Sequence, residues 1–429
     1  MNDWQSLPLN QVCNIAIGGT PSRNIEEYWG GGEGVPWVAI SDLHGRVITE
    51  TSEKITLKGV NNSNVKAVRE GTVIMSFKLS IGRVAYAGME LYTNEAIASF
   101  DLDDKLIDNN FFYYQLPEVA KSAITDSAIK GATLNKEKLN ALCISFPDLN
   151  SQQKIAKILS TVDNLIEKTQ SLIDKYTAIK QGMMADLFTC GIDMTTGDTP
   201  NSKGGKLRPS VEDAPELYKQ TELGWVPKEW AVVELGDIST ISSGITLGNE
   251  YSGSDAVEVA YLRVANVQDG YLDLSEVKTV KIPPSHVSKY LLEVGDVLMN
   301  EGGDFDKLGR GTIWDGEVED CCHQNHVFKV RTHRSKLFPE YLAYWSASSF
   351  GKSYFIMNSK QSTNLASINS SQLKRFPVLV PSIEEQQRIL YRLSAIDGNI
   401  SKLKLDVEKN KRVKKGLMQD LLTGKVQVN

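Results

Sequence analysis

A chain of 429 residues, 41% hydrophobic and 23% charged, is too long for a single core and suits two or three folded domains. Its formal net charge of −6 has the wrong sign for a simple nucleic-acid binder, so any nucleic acid must be held by local basic loops or with help from partner subunits. No apolar run is long enough to span a membrane, MNDWQSLPLN lacks a secretory pattern, and five scattered cysteines (Cys13, Cys143, Cys190, Cys321, Cys322) argue against a disulfide framework. The expectation is a cytoplasmic protein without a membrane partner.

Residues 1–150 read as a mixed α/β domain of short strands. Trp4 to Ile17 runs into Gly18-Gly19-Thr20-Pro21-Ser22, a strong turn signal. Strands are expected at Val35 to Ile40, Gly71 to Phe77, Val84 to Ala87 and Ala96 to Phe100, with the basic loop Lys78 to Arg83 between the second and third. Asn109 to Ile129 has helical character, and Leu134 to Phe146 returns to the sheet before Pro147.

Residues 151–190 form a long helix. Ser151 is a candidate cap, and tolerant or apolar residues recur at Ile155, Ile158, Val162, Leu165, Thr169, Leu172, Tyr176, Ile179 and Met183. Steps of three and four average 3.5, the period of a coiled-coil seam. Residues 191–228 open polar and rich in Gly, Ser, Thr and Pro, as a linker does, and end in a piece carrying Leu223, Trp225 and Val226 that is expected to dock.

Residues 229–383 repeat the first domain in outline. Trp230 to Ile241 echoes Trp4 to Ile15, Val259 to Val264 echoes Val35 to Ile40, and Gly295 to Met299 echoes Gly71 to Met75. Residues 384–429 repeat the long helix at a constant offset of 234, with Gln152 over Gln386, Leu159 over Leu393, Asp163 over Asp397 and Gly182 over Gly416. This last segment is the one clearly basic part, with 10 Lys+Arg against 6 Asp+Glu. Two seams in one chain can satisfy each other as an antiparallel pair. The fold class expected is therefore α/β (α+β): two similar domains and two long helices forming an antiparallel coiled coil, pseudo-twofold symmetric.

Signatures of catalysis are weak. Pro283-Pro284 lacks the flanks of an adenine-methyltransferase loop, Gly18-Gly19 leads into a proline rather than a cofactor-binding helix, and no GxxxxGK[ST] occurs. Asp304, Asp306 and Lys307 imitate a metal-nuclease set, with charged loop tips as the alternative reading. Cys321, Cys322, His323 and His326 are compact, but adjacent cysteines suit tetrahedral zinc poorly. No catalytic residue and no metal ligand is expected.

Two α/β modules, each followed by a repeated helix, resemble the DNA specificity subunits of type I restriction–modification systems. The resemblance covers essentially the whole chain. It is carried by the module exits FPDLNSQQKIAKILSTVD and VPSIEEQQRILYRLSAID, the helix ends KQGMMADLFT and KKGLMQDLLTGK, and the linker piece PELYKQTELGWVPKEW. It implies two target recognition domains, each reading one half of a bipartite, asymmetric double-stranded DNA site. It also implies two methyltransferase subunits and restriction motor-nuclease subunits as partners. S-adenosylmethionine, ATP and Mg are then expected in those partners, with no cofactor in this chain. The alternatives are a methyltransferase-nuclease fragment with its own catalysis, or a coiled-coil scaffold without a DNA role.

Candidate DNA contacts are polar and basic residues at loops that leave the strands. Thr20, Ser22 and Arg23 follow the Gly-Gly turn and are either a solvated hairpin or a loop reaching phosphates and a guanine edge. Lys78, Arg83, Lys307 and Arg310 sit at matched places in the two domains. Asn94 in one domain and Gln324 and Asn325 in the other occupy equivalent places at strand mouths, and Arg263 ends the strand VAYLR. For partner contact the candidates lie on the seams: Ile155, Leu159 and Leu172 on the first helix, Ile389, Leu393 and Leu403 on the second.

Overall fold

The structure, a computed structural model, describes residues 4–30, 32, 34–125, 134–195, 205–246, 251, 253–303, 308–309, 311–361 and 366–428. The chain divides into two compact units: Met1–Ser171 with Lys404–Asn429, and Leu172–Leu403. The division cuts both long helices, Leu149–Thr189 of 41 residues and Ile383–Leu421 of 39.

Unit 1 holds two small sheets. In the first, Cys13–Ile17, Ile97–Leu102, Val73–Ser76 and Val84–Ala87 lie antiparallel in that order, with Val47–Ile48 parallel at the edge. In the second, Val35–Val38 pairs antiparallel with Glu53–Ile55 and parallel with Leu91–Thr93. The strand VIMS at Val73–Ser76 is apolar on both faces because both are covered. Val73 and Met75 face a core shared with Phe111, Phe112, Ile155, Leu159 and Leu421, whereas Ile74 faces a second core with Val38, Ile48 and Ile97.

Unit 2 repeats this frame. Ser239–Ser243, Val327–Thr332, Val297–Asn300 and Gly311–Ile313 follow the same antiparallel order. Val257–Leu262 lies between antiparallel Lys278–Ile282 and parallel Cys321–His323, as Val35–Val38 lies between its neighbours. Val297 and Met299 share one core with Leu393, and Leu298 lies in another. Each unit also has a two-stranded ribbon joining its entry to its exit: Gln5–Pro8 with Cys143–Phe146, and Ala231–Glu234 with Pro377–Val380.

Local expectations are corrected in two places, and one expected helix is seen as far as the described residues reach. Leu134 to Phe146 is not continuous strand: Lys136–Ala141 is a helix whose first turn is capped by the Asn135 side chain, and the strand begins at Cys143. The expected helix from Asn109 ends at Thr125 among the described residues, and 126–129 lie outside them. The first long helix starts at Leu149 and is capped by Asp148, not Ser151. The Asp148 carboxylate accepts from the amides of Asn150 and Ser151 at 3.0 and 3.1 Å. A carboxylate at the positive end of a helix outcompetes a hydroxyl one turn position later.

The seam is corrected too. Ile155, Leu159, Thr169, Ile173 and Leu187 are buried, with Val162, Ile166, Tyr176, Lys180 and Met183 half-buried between them. The steps run four-three, not three-four. Ile158, Leu165, Leu172 and Ile179 lie one residue off and are 37%, 50%, 44% and 42% exposed. Both rows are apolar for three heptads, so periodicity alone chooses poorly between them. On the second helix Ile389, Leu393, Ile396, Ile400 and Val407 are buried and Leu403 is half-buried.

Candidate nucleic-acid interface

In unit 1 the site is organised by a backbone knot. A Cβ at Gly18 would collide with the carbonyls of Thr93 and Asn94, so only glycine lets the two loops approach this closely. Gly18 and Gly19 donate to Ile97 and Thr93 at 3.1 and 2.8 Å, and Asn94 donates to Val38 at 3.0 Å. The knot sets Thr20 beside Glu95, to which its hydroxyl donates. This bond, with the charges of Lys78 and Arg23, holds the Glu95 carboxyl below its usual range. Thr20, Arg23, Lys78 and Asn94 therefore gather round Glu95.

Arg23 is spoken for on two sides. Its guanidinium stacks over Trp29 at 3.7 Å from the ring centroid and forks onto Glu53 at 2.5 and 2.9 Å. The fork end, which is the part that matches guanine, is turned to Glu53. The hydrogen bond from Arg23 lowers the Glu53 carboxyl. Ser22 is exposed, and its carbonyl accepts from the Trp29 indole at 3.0 Å. The Asn94 side chain accepts from the amide of Ala96 at 3.0 Å, satisfying backbone. Lys78 is half-buried with its ammonium 5.5 Å from the Phe77 ring, and Arg83 is exposed on the same loop.

Unit 2 ties the same knot. A Cβ at Gly244 would collide with the carbonyl of His323, Ile245 donates to that carbonyl at 2.8 Å, and Gln324 donates to Leu262 at 2.8 Å. His323 thus takes the place of Thr93, and Gln324 that of Asn94. What they present differs. Asn325 approaches His326 at 3.4 Å, and His326 meets Glu301 at 2.5 Å. Arg263 does not project outward. It is half-buried, donates to the carbonyl of Glu276 at 3.2 Å and pairs with its carboxylate at 3.6 Å. Lys307 and Arg310, with Asp304 and Asp306, lie outside the described residues.

The CCHQNH stretch is not a cluster. Strand alternation sends Cys321 into one apolar core and Cys322 into another. Burial pushes their thiols up to about 12 and about 11. His323 is fully buried, contacts the Val327 carbonyl through Nδ1 at 2.7 Å, and is pushed down to about 4 by burial, so it stays neutral. Among the described residues no group of three or more His, Cys, Asp or Glu is placed to hold a metal.

The seam candidates for partner contact divide. Ile155, Leu159, Ile389 and Leu393 are buried in the cores of their own units. Leu172 is exposed and Leu403 half-buried. Sequence reading missed a polar clamp that occurs once in each unit. In unit 1 Lys414 reaches Asp163 at 2.6 Å, Tyr114 donates to Asp163 at 2.7 Å, and Lys414 lies 5.4 Å from the Tyr114 ring. In unit 2 Lys180 reaches Asp397 at 2.7 Å, Tyr344 donates to it at 2.5 Å, and Lys180 lies 5.0 Å from that ring. Gln152 and Gln386 also match: each side chain accepts one backbone amide, from Asp108 and Phe338, and donates to two carbonyls. The offset of 234 carries Lys180 onto Lys414 and was the available signal.

The sequence profile of the type I restriction modification DNA specificity domain matches residues 1–175 and 227–411. The chain belongs to that family. It is 25% identical to the type I restriction enzyme MjaVIII specificity subunit of Methanocaldococcus jannaschii, over 99% of this chain and 93% of that protein. It is 20% identical to the EcoBI specificity subunit of Escherichia coli, over 92% of this chain and 79% of that protein. A shorter match, 30% identical, to the putative MjaX specificity subunit of M. jannaschii covers 48% of this chain and 49% of that protein, about half its length. The fold is shared with the crystal structure of a type I restriction–modification S subunit from M. genitalium: TM-score 0.55, 14% identity, 98% of this chain and 96% of that one. In this chain the two knots are the same frame carrying different polar side chains.

Proposed function

We propose that this chain is the non-catalytic, DNA-reading subunit of a type I restriction–modification complex. Each unit reads one half of a bipartite, asymmetric site on double-stranded DNA. Two methyltransferase subunits methylate adenine, and restriction subunits cleave with ATP. S-adenosylmethionine, ATP and Mg belong to those partners. The observation that carries this reading is the repeated knot, which holds Thr20, Arg23 and Glu95 in one unit and Gln324, Asn325 and His326 in the other. One backbone frame with two sets of side chains is what two different half-sites require. The exposed row Ile158, Leu165, Leu172 and Ile179, spaced by seven, offers an apolar strip on the first long helix for the methyltransferase subunits.

The test is to map methylated adenines in a host with and without this chain. The reading expects one bipartite motif to vanish on deletion. A purified chain that binds S-adenosylmethionine by itself would instead support a fragment with its own catalysis.

A further inference from the structure

Leu79 stands out from every other apolar side chain described. It is 88% exposed, more than any other large hydrophobic side chain among the described residues, and its backbone lies in the left-handed region at φ 57°. A leucine gains nothing from that conformation and nothing from water on all sides. The loop that carries it is closed firmly at its base. Ser76 accepts from the amide of Gly82 at 2.9 Å and donates its own amide to Arg83 at 2.9 Å, while its hydroxyl donates to the Ser80 carbonyl. Phe77 is bound to Ala96 at 3.0 Å, next to Glu95, so the loop rises beside the place where Thr20 and Arg23 gather. Lys78 precedes Leu79, and the exposed Arg83 closes the loop.

A stiff loop with an apolar tip between two cations fits a polyanion that can open an apolar gap. Duplex DNA is such a partner: cations hold the phosphates on either side, and the stacked bases part to take the side chain. We propose that Leu79 is a wedge that enters between adjacent base pairs of the half-site read by unit 1. The proposal rests on the DNA-reading function above and adds that part of the specificity is the ease of unstacking one base step. Flexible pyrimidine–purine steps would be preferred there without any hydrogen bond to a base.

The test uses the complex of this chain with its methyltransferase subunits. The probe is a duplex carrying the methylated motif, with 2-aminopurine placed at successive positions of one half-site. Methyltransferases flip their target base, so fluorescence at the target adenine is the internal control. The wedge predicts a second, separate position of enhanced fluorescence, lost in Leu79→Gly and retained in Leu79→Met. Glycine accepts φ 57° without strain, so Leu79→Gly keeps the fold while removing the wedge. Affinity for the motif should fall about ten- to a hundredfold, the loss of one buried leucine, with an unchanged salt slope. Lys78→Ala should instead lower that slope. A single enhanced position in the wild type, or a second one that survives Leu79→Gly, overturns the wedge alone. So does a Leu79→Gly chain that no longer assembles with the methyltransferase subunits, because the tip would then touch protein. A complex that leaves the duplex unbound overturns the DNA-reading function and the wedge with it.

Discussion

Thr93 and His323 stand at one place in two frames, each giving its carbonyl to the strand end after a tight glycine. Thr93 does not titrate. His323 does, and burial has pushed its pKa down to about 4 from an ordinary 6.5. The unfolded chain therefore binds a proton more readily than the folded one between those values, so stability falls as pH drops from about 6.5 toward 4. The full loss is on the order of 3 kcal/mol for a shift of this size. Replacing His323 by the residue of the other unit, His323→Thr, should cost about 1–3 kcal/mol near neutrality through lost packing. It should also flatten the acid limb of unit 2. Urea unfolding of the full chain at pH 7.5 and pH 5 measures both, and an acid limb as steep as that of the wild type would place the sensitivity elsewhere. Arg23 makes a different expectation. Glu53→Gln removes one negative charge and frees the guanidinium fork, so non-specific duplex binding should strengthen several-fold while discrimination between the motif and random DNA narrows. Competition binding at fixed salt reads both, and an unchanged ratio would mean that the Arg23–Glu53 pair is only a surface brace. Residue types at these loops were legible in the sequence. Their partners were not, because Trp29 and Glu53 come to Arg23 through folding and share no motif with it.

Among the elements, the long helices were the most legible in existence and the least legible in phase. A 3.5-residue period was evident, but Leu172 and Ile173 are adjacent and both apolar, as are Leu165 and Ile166. What decides between the rows is a polar residue: Lys180 belongs to the buried row because Asp397 and Tyr344 wait for it. Polar seam residues fix register at some cost in stability. In unit 1 Asp163 is buried and relies on Lys414 and Tyr114. Lys414→Met should therefore destabilise unit 1 by about 1–3 kcal/mol, leaving a carboxylate with one partner. Adding Asp163→Leu should recover part of that loss, so the double variant costs less than the two singles added. A double-mutant cycle in denaturant gives the coupling, and additive costs would show that Asp163 and Lys414 act independently. Strand order was not legible: the repeat matched strands of one domain to those of the other without saying which lie side by side. The helix at Lys136–Ala141 was missed because it is short and buries Leu139 alone, which leaves no periodicity to read, although Asn135 announces it.

At the scale of the molecule, each long helix supplies residues to both units, so length added at the division between Ser171 and Leu172 lengthens the element the units share. Seam phase decides which insertions are tolerated. One heptad keeps every buried residue on its row, whereas four residues turn Ile173, Lys180 and Leu187 out of phase with Ile155, Leu159 and Thr169 on the same helix. A heptad placed there, with a second one between Leu403 and Lys404 so that both long helices grow equally, adds about 10 Å at ~1.5 Å per residue. DNA rises ~3.4 Å per base pair, so the unmodified gap between half-sites should lengthen by about three base pairs. The half-site sequences should stay as they are, because nothing near Gly18, Thr20, Gly244 or Gln324 has changed. Each clamp lies within one unit, so the four-residue version should keep both clamps but lose the common phase of the buried row, and with it stable assembly. Methylome sequencing of hosts carrying each variant reads motif and gap together. Full activity with an unchanged gap in the heptad variant would mean that the helices only hold partners, and that spacing is set by how those partners seat on the DNA.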